Sequence, residues 1–195
     1  MSVAGIVLAA GEGSRFGSVK QLAPLAGRPL LEHVLATMAG SCDRVALVLG
    51  AHAEAVRAGV DLHGATPVVC EDWAQGTFAS LRCGLSALGS ADEAVVVALG
   101  DQPTLSRERI AAVLATDGLL VRALADGAPS HPVVIRRGAI LSPEALRTAP
   151  GIELGPLPDV DTRDQLMDVQ LERSSSLPGS GAGGSVRPPR TEPGI

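Results

Sequence analysis

Fifteen arginines and a single lysine supply the positive side-chain charge of this 195-residue chain. The lysine, Lys20, closes the run Leu8-Ala9-Ala10-Gly11-Glu12-Gly13-Ser14-Arg15-Phe16-Gly17-Ser18-Val19-Lys20. A compact ammonium placed just past a loop of small residues suits phosphate, where a planar guanidinium makes a different contact. One lysine must fall somewhere, so its neighbours have to decide. Gly11, Gly13 and Gly17 can adopt dihedrals closed to other residues and bring backbone N–H groups close to an anion. Two familiar phosphate loops are excluded. G-x-G-x-x-G would need glycine where Phe16 stands, and G-x-x-x-x-G-K-[ST] fails because Lys20 lies three residues beyond Gly17. What remains is a glycine loop with Arg15 and Lys20 spaced to flank a polyphosphate. The apolar run Val3 to Leu8 before it predicts a strand buried on both faces, followed by a turn and a helix.

Carboxylates supply the second chemistry. Asp101 follows the apolar run Ala94 to Leu99 and Gly100, where an aspartate serves equally well as a turn residue or as a ligand for a hard cation. Asp159 and Asp161 lie in an extended segment before Thr162, and one is expected to face a site while the other caps the next helix with Thr162. Trp73, the only tryptophan, precedes Gly76 at an expected helix entrance and reads as core packing or as a substrate wall. Ser80 and Arg82 are open between a phosphate contact and an ordinary helix surface. His33, His52 and His63 read as structural or surface residues.

These motifs resemble the MobA-like nucleotidyltransferases, specifically the molybdenum cofactor cytidylyltransferase-like branch. The resemblance runs through L-A-A-G-x-G-x-R-F-G-x-x-K, then Gly27-Arg28-Pro29-Leu30-Leu31-Glu32-His33-Val34-Leu35, then Asp72-Trp73-Ala74-Gln75-Gly76 with Ser80-Leu81-Arg82-Cys83-Gly84-Leu85. It continues in Leu99-Gly100-Asp101-Gln102-Pro103, His131-Pro132-Val133 and Asp159-Val160-Asp161-Thr162, covering most of residues 3 to 171. It implies a Rossmann-like nucleotidyltransferase fold, with Arg15, Lys20 and Asp101 catalytic. Nucleotide contacts are implied at Leu8, Ala9, Ala10, Gly11, Gly13, Arg15, Lys20, Gly76 and Ser80. Mg²⁺ would be held by Asp101 and a second carboxylate, Asp161 in preference to Asp159, and the acceptor would meet Trp73 and His131.

The activity implied is transfer of CMP from CTP to a molybdopterin-type acceptor with release of pyrophosphate, with transient contact to a molybdoenzyme or its chaperone. Leu8-Ala9-Ala10-Gly11 agrees with cytidylyl transfer, since guanylyl-transferring relatives tend to carry Leu-Ala-Gly-Gly. Two departures are visible. Ser130 replaces the glycine of a Gly-His-Pro motif, and the stretch 138–157 is short and lacks a Gly-Asp-x-Gly-Ala-Arg type motif. Transfer to another phosphorylated acceptor, such as a sugar phosphate, therefore stays open beside a non-catalytic nucleotide-binding module.

Positioning these residues requires alternating strands and helices. Strands are expected at Arg44 to Leu49, Thr66 to Cys70, Ala94 to Leu99, Leu119 to Leu124 and Pro132 to Ile135. Leu30, Leu31, Val34, Leu35 and Met38 fall on one helical face; Phe78, Leu81, Leu85 and Leu88 on another, which stops at Gly89. Ser106 is expected to cap a helix carrying Ile110, Val113 and Leu114, and Thr162 with Gln165 matches a capping box. Such alternation predicts an α/β fold with a doubly wound, mostly parallel sheet, as one domain over residues 1–173. From Ser174 the Gly, Ser and Pro content predicts a disordered tail, 174–195. A formal net charge of −5 argues against nucleic acid as a partner. No apolar stretch approaches the roughly 20 residues of a membrane span, and no positively charged leader precedes the first strand, so a cytoplasmic address is expected. Cys42, Cys70 and Cys83 are odd in number and without C-x-x-C spacing, which predicts buried small hydrophobes and neither a disulfide nor a zinc site.

Overall fold

The computed structural model describes residues 1–89 and 91–175. The expected tail lies outside the described residues from position 176, and Ser174 and Ser175 complete the last turn of the final helix.

Strand β1 (Val3–Ala9) is buried along its whole length, as a continuous aliphatic run requires of a strand covered on both faces. The helix expected directly after the glycine loop is absent. Two 3₁₀ turns, Ser14–Phe16 and Lys20–Leu22, come first, followed by a hairpin of β2 (Pro24–Leu25) and β3 (Arg28–Pro29) and then α1 (Leu30–Ala39). The reason is local. Gly13 and Gly17 bracket the first turn in left-handed conformations at φ 63° and 76°, which ends a helix, and Pro24 has no N–H to continue one.

The chain continues through β4 (Arg44–Leu49), α2 (Ala53–Gly59), β5 (Thr66–Val69), α3 (Thr77–Leu88), β6 (Ala94–Leu99) and α4 (Arg107–Ala115). It then forms β7 (Leu120–Ala125), β8 (Ala128–Arg136), α5 (Pro143–Thr148), β9 (Gly151–Glu153) and α6 (Arg163–Ser175). The seven-stranded sheet has the order β5-β4-β1-β6-β8-β7-β9. Strands β5, β4, β1 and β6 are parallel, β8 runs antiparallel to β6 and β7, and β9 is parallel to β7. The antiparallel pair follows from Asp126-Gly127: both residues have positive φ, 52° and 75°, the signature of a two-residue hairpin turn.

The expected apolar stripe of α1 is fully buried on one face of the sheet with Val34, Leu35 and Met38 in its core, while α3 covers the other face through Leu81 and Leu88. Gly84 permits that second contact, since a Cβ there would come within 2.9 Å of Val48. Gly89 caps α3, the Ser106 hydroxyl accepts from the Arg109 N–H, and Thr162 and Gln165 exchange bonds as a capping box. The cysteine expectation fails in part. Cys70 and Cys83 form a disulfide with Cα atoms 5.8 Å apart, because β5 ends beside the sheet-facing side of α3 and brings together residues whose spacing carries no motif. Cys42 remains a free thiol, pushed up to about 12 by burial. Among the described residues no helix is long and apolar enough to cross a membrane.

Candidate active site

At the carboxyl ends of β1 and β6 the sheet opens into a crevice, the place where ligands bind in parallel α/β sheets. Leu8, Ala9, Gly11, Gly13, Lys20 and Asp101 all line it. Gly100 lets the strand end lie flat there: a Cβ would come within 2.9 Å of Ala9 and Leu31.

Lys20 is the fixed centre. Its Nζ donates to Asp101 Oδ2 at 2.8 Å and to Asp161 Oδ1 at 2.9 Å, and its side chain is only 10% exposed. Burial would lower its pKa, but the two carboxylates outweigh that and raise it above the usual lysine value. Arg15 reaches Asp161 Oδ2 at 2.7 Å from a side chain 74% exposed, so solvent screens that pair and the arginine is free to change partner. The Lys20 hydrogen bond, with smaller help from Arg15, holds the Asp161 carboxyl below its usual range.

The expectation that only one of Asp159 and Asp161 faces the site does not hold, because residues two apart in an extended segment share a face and Val160 between them takes the other. Val160 is buried and its N–H donates to the Asp101 carbonyl at 2.9 Å, which pins the segment so that both aspartates flank Asp101. Asp159 accepts from Gln102 Nε2 at 2.7 Å, and burial first, then the negative charge of Asp101, pushes its pKa up. Asp101 Oδ1 is buried without a hydrogen-bond partner among the described residues. Among the described residues no three acidic, His or Cys side chains converge on one metal position, but Mg²⁺ needs only one or two carboxylates beside waters and phosphate oxygens, and the open Asp101 oxygen is suited to be one of them.

The other expected residues are more dispersed. Ala10 is buried, and its carbonyl accepts from Ala51 N–H at 3.1 Å. Gly76 takes φ 106° between the Glu71–Gln75 turn and α3. Ser80 is buried on α3. Trp73 packs against Gly50, where a Cβ would lie 2.5 Å from its ring and from the Ala10 carbonyl; it stands by the first-strand loop and is not part of the cavity that His131 lines. His131 is on β8 and is held neutral: burial and then the nearby Arg122 and Arg109 lower its pKa to about 4. His33 is structural, its Nε2 2.8 Å from the Leu25 carbonyl.

Sequence reasoning missed Gln21, Arg109 and Arg122. Gln21 is buried in the crevice wall and donates to the Ala9 carbonyl at 3.0 Å, locking the loop to β1; its place beside the single lysine was the available signal. Arg109 sits in the charged first turn of α4 beside Arg107 and Glu108, and Arg122 is one arginine in the apolar β7; neither context gives a sign of which way the side chain points.

The chain has relatives among known proteins. Residues 5–153 match the MobA-like NTP transferase domain. The chain is 39% identical over 139 residues to nicotine blue oxidoreductase of Paenarthrobacter nicotinovorans, covering 70% of this chain and 68% of that protein. It is 36% identical over 135 residues to molybdenum cofactor guanylyltransferase of Rhodobacter capsulatus, covering 67% and 62%. Bifunctional protein GlmU of Pelobacter propionicus is 39% identical over 109 residues, which span 53% of this chain but only 23% of that longer protein. Among solved structures, Rv0371c of Mycobacterium tuberculosis superposes with a TM-score of 0.71 at 29% identity, covering 87% of this chain and 98% of that one. A further structure of Rv0371c is a complex with manganese, with a TM-score of 0.67 at 27% identity over 88% of this chain and 99% of that one. The chain belongs to the MobA-like NTP transferase family.

Proposed function

We propose that the chain transfers CMP from CTP to a phosphorylated acceptor of the molybdopterin type, releasing pyrophosphate. The observation that carries this is Lys20, buried beneath the glycine loop between Asp101 and Asp161. An acceptor phosphate monoester has a second pKa of about 6 and is mostly dianionic at neutral pH, so its oxygen attacks the α-phosphorus without a dedicated base. Lys20 and Arg15 then neutralise the phosphates, and the loop N–H groups hold them in line. Asp101, with Asp161 or Asp159, would hold Mg²⁺, which supplies further neutralisation of the triphosphate when bound. Nucleotide contacts at Leu8, Ala9, Ala10, Gly11, Gly13, Gly76 and Ser80 belong to the same proposal, as do acceptor contacts at Trp73 and His131 and a cytoplasmic setting.

A second acceptor class, sugar phosphates, is favoured by the compact 138–157 stretch, which holds only the short α5 and β9. One relative carries an oxidoreductase name, so the test must detect product. Pyrophosphate release is measured with CTP or GTP against molybdenum-loaded molybdopterin or a sugar 1-phosphate. Release with CTP and the molybdopterin acceptor supports the reading, release only with the sugar phosphate selects the second acceptor, and nucleotide binding without release leaves a binding module. In competition, CTP is expected to bind at least about tenfold more tightly than GTP, the scale of one misplaced group. Equal or tighter GTP binding would refute the cytidylyl assignment.

A further inference from the structure

Leu8 lines a second cavity beside the Lys20 crevice, of about 300 Å³, enclosed by α3, α5 and the strands β1, β6, β7 and β8. Its walls are mostly apolar, with Phe78, Leu81, Val97 and Val133 prominent. Three polar side chains interrupt them, Thr77, His131 and Arg122, of which Arg122 carries a charge. Arg122 is 7% exposed. It donates to the Leu146 carbonyl at 2.7 Å and to the Ser130 carbonyl at 3.1 Å, and its Nε is buried with no partner among the described residues. Among the described residues its guanidinium has no carboxylate within ion-pair distance.

That arrangement is costly, because a charge removed from water needs a counter-charge or full hydrogen bonding. Neighbouring Arg109 shows the satisfied alternative: it donates to the carbonyls of His131, Leu154 and Gly155 and to the Ser130 hydroxyl. If Arg122 served only to tie α5 to β8 through two carbonyls, an uncharged donor would do so without burying a cation. A ligand that brings an anion resolves the imbalance, and a guanidinium with an idle donor is suited to carboxylate or phosphate.

We propose that Arg122 is a specificity-determining residue that selects, for this cavity, a planar aromatic ligand carrying an anionic group. The inference rests on the nucleotidyl-transfer reading in one respect: the cavity adjoins the crevice through Leu8, which makes it the acceptor side. The apolar walls take the ring, and Arg122 discriminates by charge. His131, held neutral beside it, adds no repulsion toward the ring and leaves Arg122 as the cation that reads the anion.

The test is direct binding by calorimetry of 2-naphthoate, 2-naphthyl phosphate and the neutral 2-naphthamide. Wild type is expected to bind at least one anionic ring about tenfold or more tightly than the amide, the scale of a charge-assisted hydrogen bond, and the preferred anion identifies the headgroup. Arg122→Met is expected to bind all three alike. Equal binding of amide and anions by wild type overturns the proposal, as does discrimination that survives in Arg122→Met. Should that variant fail to fold by circular dichroism, ¹⁵N-arginine-labelled wild type decides: an arginine Nε–H signal must move with the anionic ring and stay with the amide. A separate titration with CTP and Mg²⁺ keeps the readings apart. CTP binding without anion selectivity sinks this inference alone, and anion selectivity without CTP binding sinks the nucleotidyl-transfer reading alone.

Discussion

Lys20 shows why one residue type is required at the crevice. Its Nζ meets two carboxylates at 2.8 and 2.9 Å from a nearly buried stem, a geometry that suits a compact, freely rotating donor and not a planar fork. The pH limits follow from the shifts. The raised Lys20 pKa contributes stability that is fully present below its unfolded value and is lost as pH rises through the folded one. The depressed Asp161 pKa contributes stability present above its unfolded value and lost as pH falls through the folded one. Between those limits the pair is charged and preorganised. Lys20→Ala is expected to lower kcat/KM by about 10²-fold or more, the scale of removing one preorganised donor, and Lys20→Arg to restore little of it. Near wild-type turnover in either variant would show that the lysine is incidental. The carboxylates separate by Mg²⁺ titration of pyrophosphate release. Asp101→Asn removes the charge beside the unpartnered Oδ1, so transfer should collapse while the fold survives. Asp161→Asn is expected to need more Mg²⁺ for half-maximal rate; if only Asp159→Asn does, the second ligand is Asp159.

Among the elements, the connection from β5 to α3 carries a constraint of its own. The Cys70–Cys83 bridge closes a segment with a sequence separation of 13 that contains Trp73 and Gly76. A loop of that size adds about 3 kcal/mol in the chain-entropy account. Reduction is therefore expected to lower the melting temperature and to shift the emission of Trp73, the only tryptophan. Three thiols titrating without reductant, with no change in melting on adding it, would show that the bridge does not form in solution. This bridge also marks the limit of what was legible in the sequence. Where a run had one dominant period, the elements came through: β4 and β6 span the expected residues, and the caps at Ser106, Gly89 and Thr162 form as their types demand. Asp101 was legible because it sits where a buried strand ends in glycine, and Lys20 because it is the one lysine and closes the glycine loop that follows β1. What failed depended on tertiary placement. Proline and left-handed glycines replaced a helix with two turns, the Asp126-Gly127 hairpin inserted an antiparallel pair, and the burial of Val160 left Asp159 and Asp161, which share a face two residues apart, both beside Asp101. Arg122 was silent for the same reason, since burial of a lone arginine is decided by the helices packed over its strand.

At the scale of the whole molecule, acid should act on this protein in two separable windows. His131 is lowered to about 4 by burial and by the positive charges of Arg122 and Arg109. Its unfolded pKa is about 6.5, so between those values the unfolded chain binds a proton that the folded chain refuses, and stability must rise with pH there. The folded state therefore weakens as pH falls from about 6.5 toward 4. A shift of this size corresponds to on the order of 2–3 kcal/mol, allowing for the partial opening of the cavity. The second window lies lower. Asp161, Asp92 and Glu153 have depressed pKa values from bonds to Lys20, Arg44 and the Gly127 N–H respectively, so their contributions persist until the pH drops below the ordinary carboxylate range. His131→Gln is expected to shrink the upper window to the part contributed by His33, whose pKa burial also lowers, and to leave the lower one in place. Urea midpoints of wild type and this variant at pH 7.5, 5.5 and 4.5, compared at equal slope, would check it. A wild-type midpoint that is flat from pH 7.5 to 4.5 would mean that the imidazole titrates in water, and that the cavity beside Arg122 is open enough to hydrate both cations.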